Sequence, residues 1–124
     1  METIFQHIAL QYKNKKQADI FFKKILGLTL IKNFNVSKKL AKKIFNISEE
    51  VEVFVYGNDS INFEVFITKQ KQLHVFNHVC IKIDDKKEFF NKCNEYKLKP
   101  YYVEKEDKKL LFLRDYSNNL YEIK

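Results

Sequence analysis

Two histidines and two glutamates stand at matching places in this chain. His7 lies in FQHIAL at residues 5–10 and His78 in FNHVCI at 76–81, 71 residues apart. Both runs open Phe-x-His and continue with apolar residues. Glu64 lies in NFEVFI at 62–67 and Glu122 in NLYEIK at 119–124. Imidazole and carboxylate together are the donors taken by borderline to hard divalent cations: zinc, nickel, manganese, cobalt or ferrous iron. An isolated carboxylate among apolar neighbours is expensive, whereas one cation would satisfy all four groups. An octahedral ion so held keeps two positions for water or a chelating substrate. A lone His or Glu on a strand is ordinarily a surface residue; the match between halves is what singles these four out. The chain therefore reads as one domain, 1–124, made of a first module 1–70 and a second module 71–124, each giving one imidazole and one carboxylate.

The elements that must position these groups follow from periodicity. Residues 4–12 alternate as a strand, with Ile8 and Leu10 on one face and His7, Ala9 and Gln11 on the other. Residues 14–26 form an amphipathic helix with Ala18, Phe21, Phe22, Ile25 and Leu26 on one stripe, Asn14 at its N-cap and Gly27 just past its end. A strand at 28–34 returns to the sheet. The segment 37–47 predicts a short helix capped by Ser37, with Leu40, Ala41, Ile44 and Phe45 on its apolar side. It has no counterpart in the second half and reads as an insertion. Strands at 51–56 and 61–67 flank the turn 57–60, and 68–73 is a polar link. The second half repeats the plan: a strand at 76–83, a helix at 84–96 carrying Phe89, Phe90 and Cys93, then strands at 98–103, 110–113 and 120–123. Pro100 marks the first of these as an edge or bulged strand. His74, in the link, is expected at the surface. Cys80 shares a strand face with His78, but a packed thiol is the preferred reading; Cys93 belongs to the core.

Composition narrows the classes. At 45% apolar, with 12 Phe and 7 Tyr in 124 residues, the chain can fill a real core. The net charge of +7 favours anionic partners, including anionic metabolites. Arg114 is the sole arginine, and no basic tail, zinc-finger or glycine-loop pattern is present, which argues against nucleic acid. Two cysteines without CxxC spacing fit a reducing compartment rather than a disulfide framework. With no long apolar run and no signal-like start, cytoplasmic residence without membrane attachment is the expectation.

The run HIALQY followed by QADIFFKKILGLTLI, the strand FNHVCIKI and the closing LRDYSNNLYEIK together resemble the vicinal oxygen chelate superfamily, which unites glyoxalases, bleomycin-resistance proteins and extradiol dioxygenases. The last run is similar to that family's closing D-x-x-G-N-x-x-E, with Asp115, Asn119 and Glu122 matching and Asn118 where glycine is usual. Asparagine can enter the left-handed conformation such a turn needs. The resemblance implies an α+β fold of two βαβββ modules, forming a curved mixed sheet around a cleft with helices on the outer face. It makes His7, Glu64, His78 and Glu122 the ligands of one divalent metal. Retention of Glu64 is similar to the glyoxalase I-like branch. The resemblance also implies a homodimer, in which the two modules around a metal can come from different subunits.

The activity so implied is that of a metal-dependent lyase or isomerase. It would act next to a carbonyl of a small 2-oxo or thioester substrate, through an enediolate or enolate. Glu122, or Glu64, would move the proton as general base. The alternatives are a non-catalytic protein of the same fold that sequesters a ligand or drug, and an extradiol-type dioxygenase.

Overall fold

The computed structural model describes residues 6–70 and 78–124. The first module runs β1 (Ile8–Tyr12), α1 (Lys15–Ala18), β2 (Thr29–Val36), α2 (Lys38–Phe45), β3 (Val51–Gly57) and β4 (Asn62–Ile67). The second runs β5 (Val79–Ile81), α3 (Lys86–Glu95), β6 (Tyr101–Lys105), β7 (Lys108–Arg114) and β8 (Leu120–Ile123). The strands form two four-stranded sheets, ordered β1-β4-β3-β2 and β5-β8-β7-β6. In each, the first strand pairs parallel with the last and the other pairings are antiparallel. The repeat in the sequence is thus a repeat of topology. The helix between first and second strands provides the crossover that parallel pairing requires.

Local signals account for the helices. Asn14 Oδ1 accepts from Gln17 N at 2.9 Å and so caps α1. Beyond Ala18 the helix widens into a π-helical stretch (Asp19–Ile25) that buries Phe21, Phe22 and Ile25, and Gly27 ends it with φ 73°. Asp85 caps α3 by accepting from Glu88 N at 2.9 Å. Lys97 takes the left-handed position after α3, with Leu98 N donating to Cys93 O at 2.8 Å.

One core joins the modules. Leu10, Tyr12, Phe21, Phe22, Tyr56, Phe63 and Val65 cluster with Val79, Phe89, Cys93, Leu111, Leu113, Tyr121 and Ile123. The Phe21 ring lies 5.1 Å from Tyr121 of the other module. Both sheets therefore turn their helix-side faces into a shared interior. Each fully buried aromatic of this kind is worth about 1.5–3 kcal/mol against exposure. No helix of the described residues is long and apolar enough to cross a membrane.

Several expectations shift in detail. The strand expected at 76–83 is ordered only over Val79–Ile81 among the described residues, and His74, Phe5 and Phe76 lie outside them. Pro100 stands just before β6, which is an edge strand as anticipated, rather than within it. The insertion helix forms, with Ser37 Oγ accepting from Leu40 N at 3.2 Å. Its apolar side is split, however: Ala41 is fully buried while Leu40 and Ile44 are 46% and 58% exposed. Ala41 packs in a second small cluster with Val36, Ile47, Val51, Val53 and Phe66. Phe66 is two residues from Glu64, so strand alternation puts α2 on the sheet face opposite the shared core.

Candidate functional site

Pairing register decides where the four candidate ligands point. His7 precedes β1 by one residue, and Ala9, two residues on, pairs with Glu64 of β4. His78 precedes β5 by one residue, and Cys80, two residues on, pairs with Glu122 of β8. Residues two apart share a face, so each imidazole and its glutamate meet on the same side of their sheet. His7 Nε2 lies 2.5 Å from Glu64 Oε2, and His78 Nε2 lies 3.2 Å from Glu122 Oε2. In both modules the flanking strand residues, among them Leu10, Phe63, Val65, Tyr121 and Ile123, turn into the core. The pairs therefore occupy the faces opposite the core, and on the first sheet α2 packs against part of that face through Ala41 and Phe66. His7 and His78 remain 46% and 36% exposed and the glutamates 24% and 14%, leaving room for a further group at each pair.

The structure brings the four residues together as two pairs. Among the described residues, no three His, Cys, Asp or Glu side chains are grouped so as to hold a metal ion. The donor chemistry suits a divalent cation, but each pair offers only two donors. Each pair thus stands apart, two donors on one sheet face. The shared core joins the modules through the faces that do not carry these four candidate residues.

The surroundings of the two pairs differ. Lys124 Nζ approaches Glu122 to 4.0 Å. Cys80 is exposed on the same face as His78 and Glu122, which corrects the expectation of a packed thiol. Desolvation, then the adjacent Glu122 carboxylate, push the Cys80 thiol up, with Lys124 pulling the other way. Cys93 is in the core as expected, and burial pushes its thiol up to about 12. A surface cleft of about 600 Å³ runs between Leu26, Asn58, Ile61 and the segment Cys80–Asp84. It touches the His–Glu pairs only through Cys80, so register and donor chemistry locate the site better than concavity does.

Asp115 and Asn119, which matched the closing run of the sequence, serve the site from behind. Asp115 is 5% exposed. It accepts from Ser117 N and Asn119 N at 3.0 and 2.9 Å, from Asn119 Nδ2 at 3.0 Å, and from the Tyr121 hydroxyl at 2.9 Å. Burial raises the Asp115 carboxyl, and these bonds oppose the rise. Burial, and then the nearby Asp115 carboxylate, push the Tyr12 hydroxyl of β1 up, yet its oxygen has no hydrogen bond of normal geometry. Asn118 takes the left-handed conformation, φ 66°, that glycine would otherwise supply. This turn fixes the start of β8 and hence the placement of Glu122. Its D-x-x-x-N pattern was visible in the sequence, whereas the tyrosines on either side of the carboxylate were not anticipated.

Comparison with known proteins gives a fold and no closer relation. No family model matches the chain, and no curated protein matches it. Solved structures match over nearly the full length. A glyoxalase family protein from Enterococcus faecalis superposes with TM-score 0.73 at 17% identity, covering 97% of this chain and 95% of that one. The fosfomycin resistance protein FosX from Listeria monocytogenes, complexed with Mn(II) and a sulfate ion, gives 0.69 at 16% identity over 99% and 92%. The trypanothione-dependent glyoxalase I of Leishmania major gives 0.73 at 15% identity over 98% and 86%.

Proposed function

The chain has the vicinal oxygen chelate fold, and from that premise we propose that it is a metal-dependent lyase or isomerase acting beside a carbonyl of a small, anionic 2-oxo or thioester substrate. The observation that carries this reading is the equivalence of the two His–Glu pairs, which sit at the same register position on the open faces of both sheets. Carboxylates kept beside imidazoles at both places are costly ornaments for a cleft that only sequesters an apolar ligand. That FosX was obtained with Mn(II) gives the reading support from a protein of the same fold.

His7 and Glu64 of one subunit, with His78 and Glu122 of a second, would hold the divalent cation in a homodimer. Each chain contributes only half the donors at either pair, and a two-fold dimer would bring the complementary halves together twice. When bound, such a cation supplies Lewis-acid stabilisation of negative charge that develops on substrate oxygen. His7 and His78 would serve as two of its ligands. Glu122 removes the proton from carbon next to the carbonyl and returns it to the neighbouring position, with Glu64 as its counterpart from the other module. The Asp115 turn holds the strand bearing Glu122, so the base is carried on a rigid element.

Elemental analysis after dialysis against Mn(II) or Zn(II) is the first test, with Glu64→Gln and His78→Ala as controls. Metal retained by the wild type and lost by both variants is the expected result; equal retention by all three overturns the assignment. Metal-dependent exchange of solvent deuterium into a 2-oxo acid or thioester tests the chemistry. Ligand binding without any exchange would favour sequestration instead.

A further inference from the structure

The repeat supplies an internal comparison of the two cleft halves. Across the face of the first sheet that carries Glu64, the row in register with it reads Ala9, Glu64, the buried Val55 and Lys32. Across the second sheet, the row in register with Glu122 reads Cys80, Glu122, Phe112 and Tyr101. The two rows have the same topology and the same ligand, so the fold asks the same of both. Valine and lysine satisfy it in the first module. The second module sets an aromatic pair, Phe112 and Tyr101, at these places instead.

Its geometry forms a ladder that starts at the site. The His78 ring meets Phe112 edge-on at 5.9 Å and 87°. Phe112 in turn stacks on Tyr101 at 6.0 Å and 24°. Tyr101 is 41% exposed and Val103, two residues along the same face, is also 41% exposed. An aromatic surface left open beside a donor pair, on an edge strand, offers its flat face to a ligand. In the first module the corresponding cross-strand place holds the Lys32 ammonium, which lies 5.7 Å over the 37% exposed Phe34 ring, so that half sets a cation where the second sets Tyr101.

We propose that Phe112 and Tyr101 form a stacking subsite for a planar, apolar group of the substrate, adjoining the oxygens that the His78–Glu122 pair addresses. The inference rests on the proposed reading of that pair, and it names the substrate class more closely: an oxygen chelator bearing an aromatic or conjugated substituent. Phe112 and Tyr101 are specificity residues and take no proton.

The test uses phenylglyoxylate and pyruvate, two 2-oxo acids that differ by phenyl against methyl, titrated calorimetrically into the full chain with and without Mn(II). The wild type should bind phenylglyoxylate about tenfold more tightly than pyruvate, the scale set by one aromatic stack plus the area it buries. Phe112→Val and Tyr101→Lys, which install the first module's own residues, should bring that preference close to unity, since the charge of the new lysine acts on both acids alike. An equal affinity of the wild type for the two acids, as would follow if a second copy of the chain covered the ladder, overturns the subsite. So does a preference that survives both substitutions, or an absence of phenylglyoxylate binding. The metal reading fails separately, if binding of pyruvate is indifferent to Mn(II) while the phenyl preference and its loss in the variants persist.

Discussion

If each metal site takes His7 and Glu64 from one subunit and His78 and Glu122 from another, two crippled chains should repair each other. Consider His7→Ala, which disables the first-module half, and His78→Ala, which disables the second. A homodimer of either variant has every site broken. In a mixed dimer, one site joins the two damaged halves and the other joins the two intact ones. Random exchange of equal amounts makes about half the dimers mixed, each with one good site of two, so about a quarter of wild-type metal occupancy returns. The physical basis is that each pair lies on an open sheet face, and that no three donors converge among the described residues of one chain. The histidines are exposed enough that truncating them removes a ligand without opening the shared core. Metal content by elemental analysis, measured before mixing and after subunit exchange in mild denaturant, gives the answer. Variants that each lose metal and recover none on mixing would refute the cross-subunit site and leave only an arrangement within one chain.

Four further outcomes follow from the packing. Asp115→Asn should cost about 2 kcal/mol in urea unfolding, since a charged acceptor of several buried donors is lost and an amide cannot accept from all of them. Because burial raises the Asp115 carboxyl, whatever stability its titration contributes is full below the unfolded aspartate range and falls as pH rises through the folded value. The stability of wild type relative to Asp115→Asn should therefore decline over that span in unfolding curves, and an increase would contradict the burial argument. Phe21→Ala, at the contact between modules, should cost about 3–5 kcal/mol and lower the melting temperature accordingly. Iodoacetamide should alkylate Cys80 in the native protein and Cys93 only on unfolding, as mass spectrometry of the modified peptides would show; the reverse order would misplace both thiols.

Much of the architecture was legible because short-range rules govern it. Asn14, Ser37 and Asp85 are caps whose side chains bond backbone groups three residues away, and alternation around Glu64 and Glu122 fixed which neighbours would be buried. The insertion helix was legible as a helix but not as a cover. Its four apolar positions suggested one packed stripe, and the structure buries Ala41 while leaving Leu40 and Ile44 open. Cys80 shows the same limit. Period-two alternation placed it on the face of His78, but whether anything covered that face depended on how the sheets meet.

The sequence by itself determined the repeat, the supply of one imidazole and one carboxylate by each module, and the faces of the strands around Glu64 and Glu122, because each follows from residue order and a fixed side-chain period. Only the tertiary structure decided that the four candidate residues fall into two separate pairs, His7 with Glu64 and His78 with Glu122. Burial of Phe21, Phe22 and Tyr121 draws the helix-side faces of both sheets into one core. The open faces, with His7, Glu64, His78 and Glu122, are left as the surfaces that core excludes. Which faces a chain chooses to join is a balance of buried area summed over distant residues, and no local pattern records it.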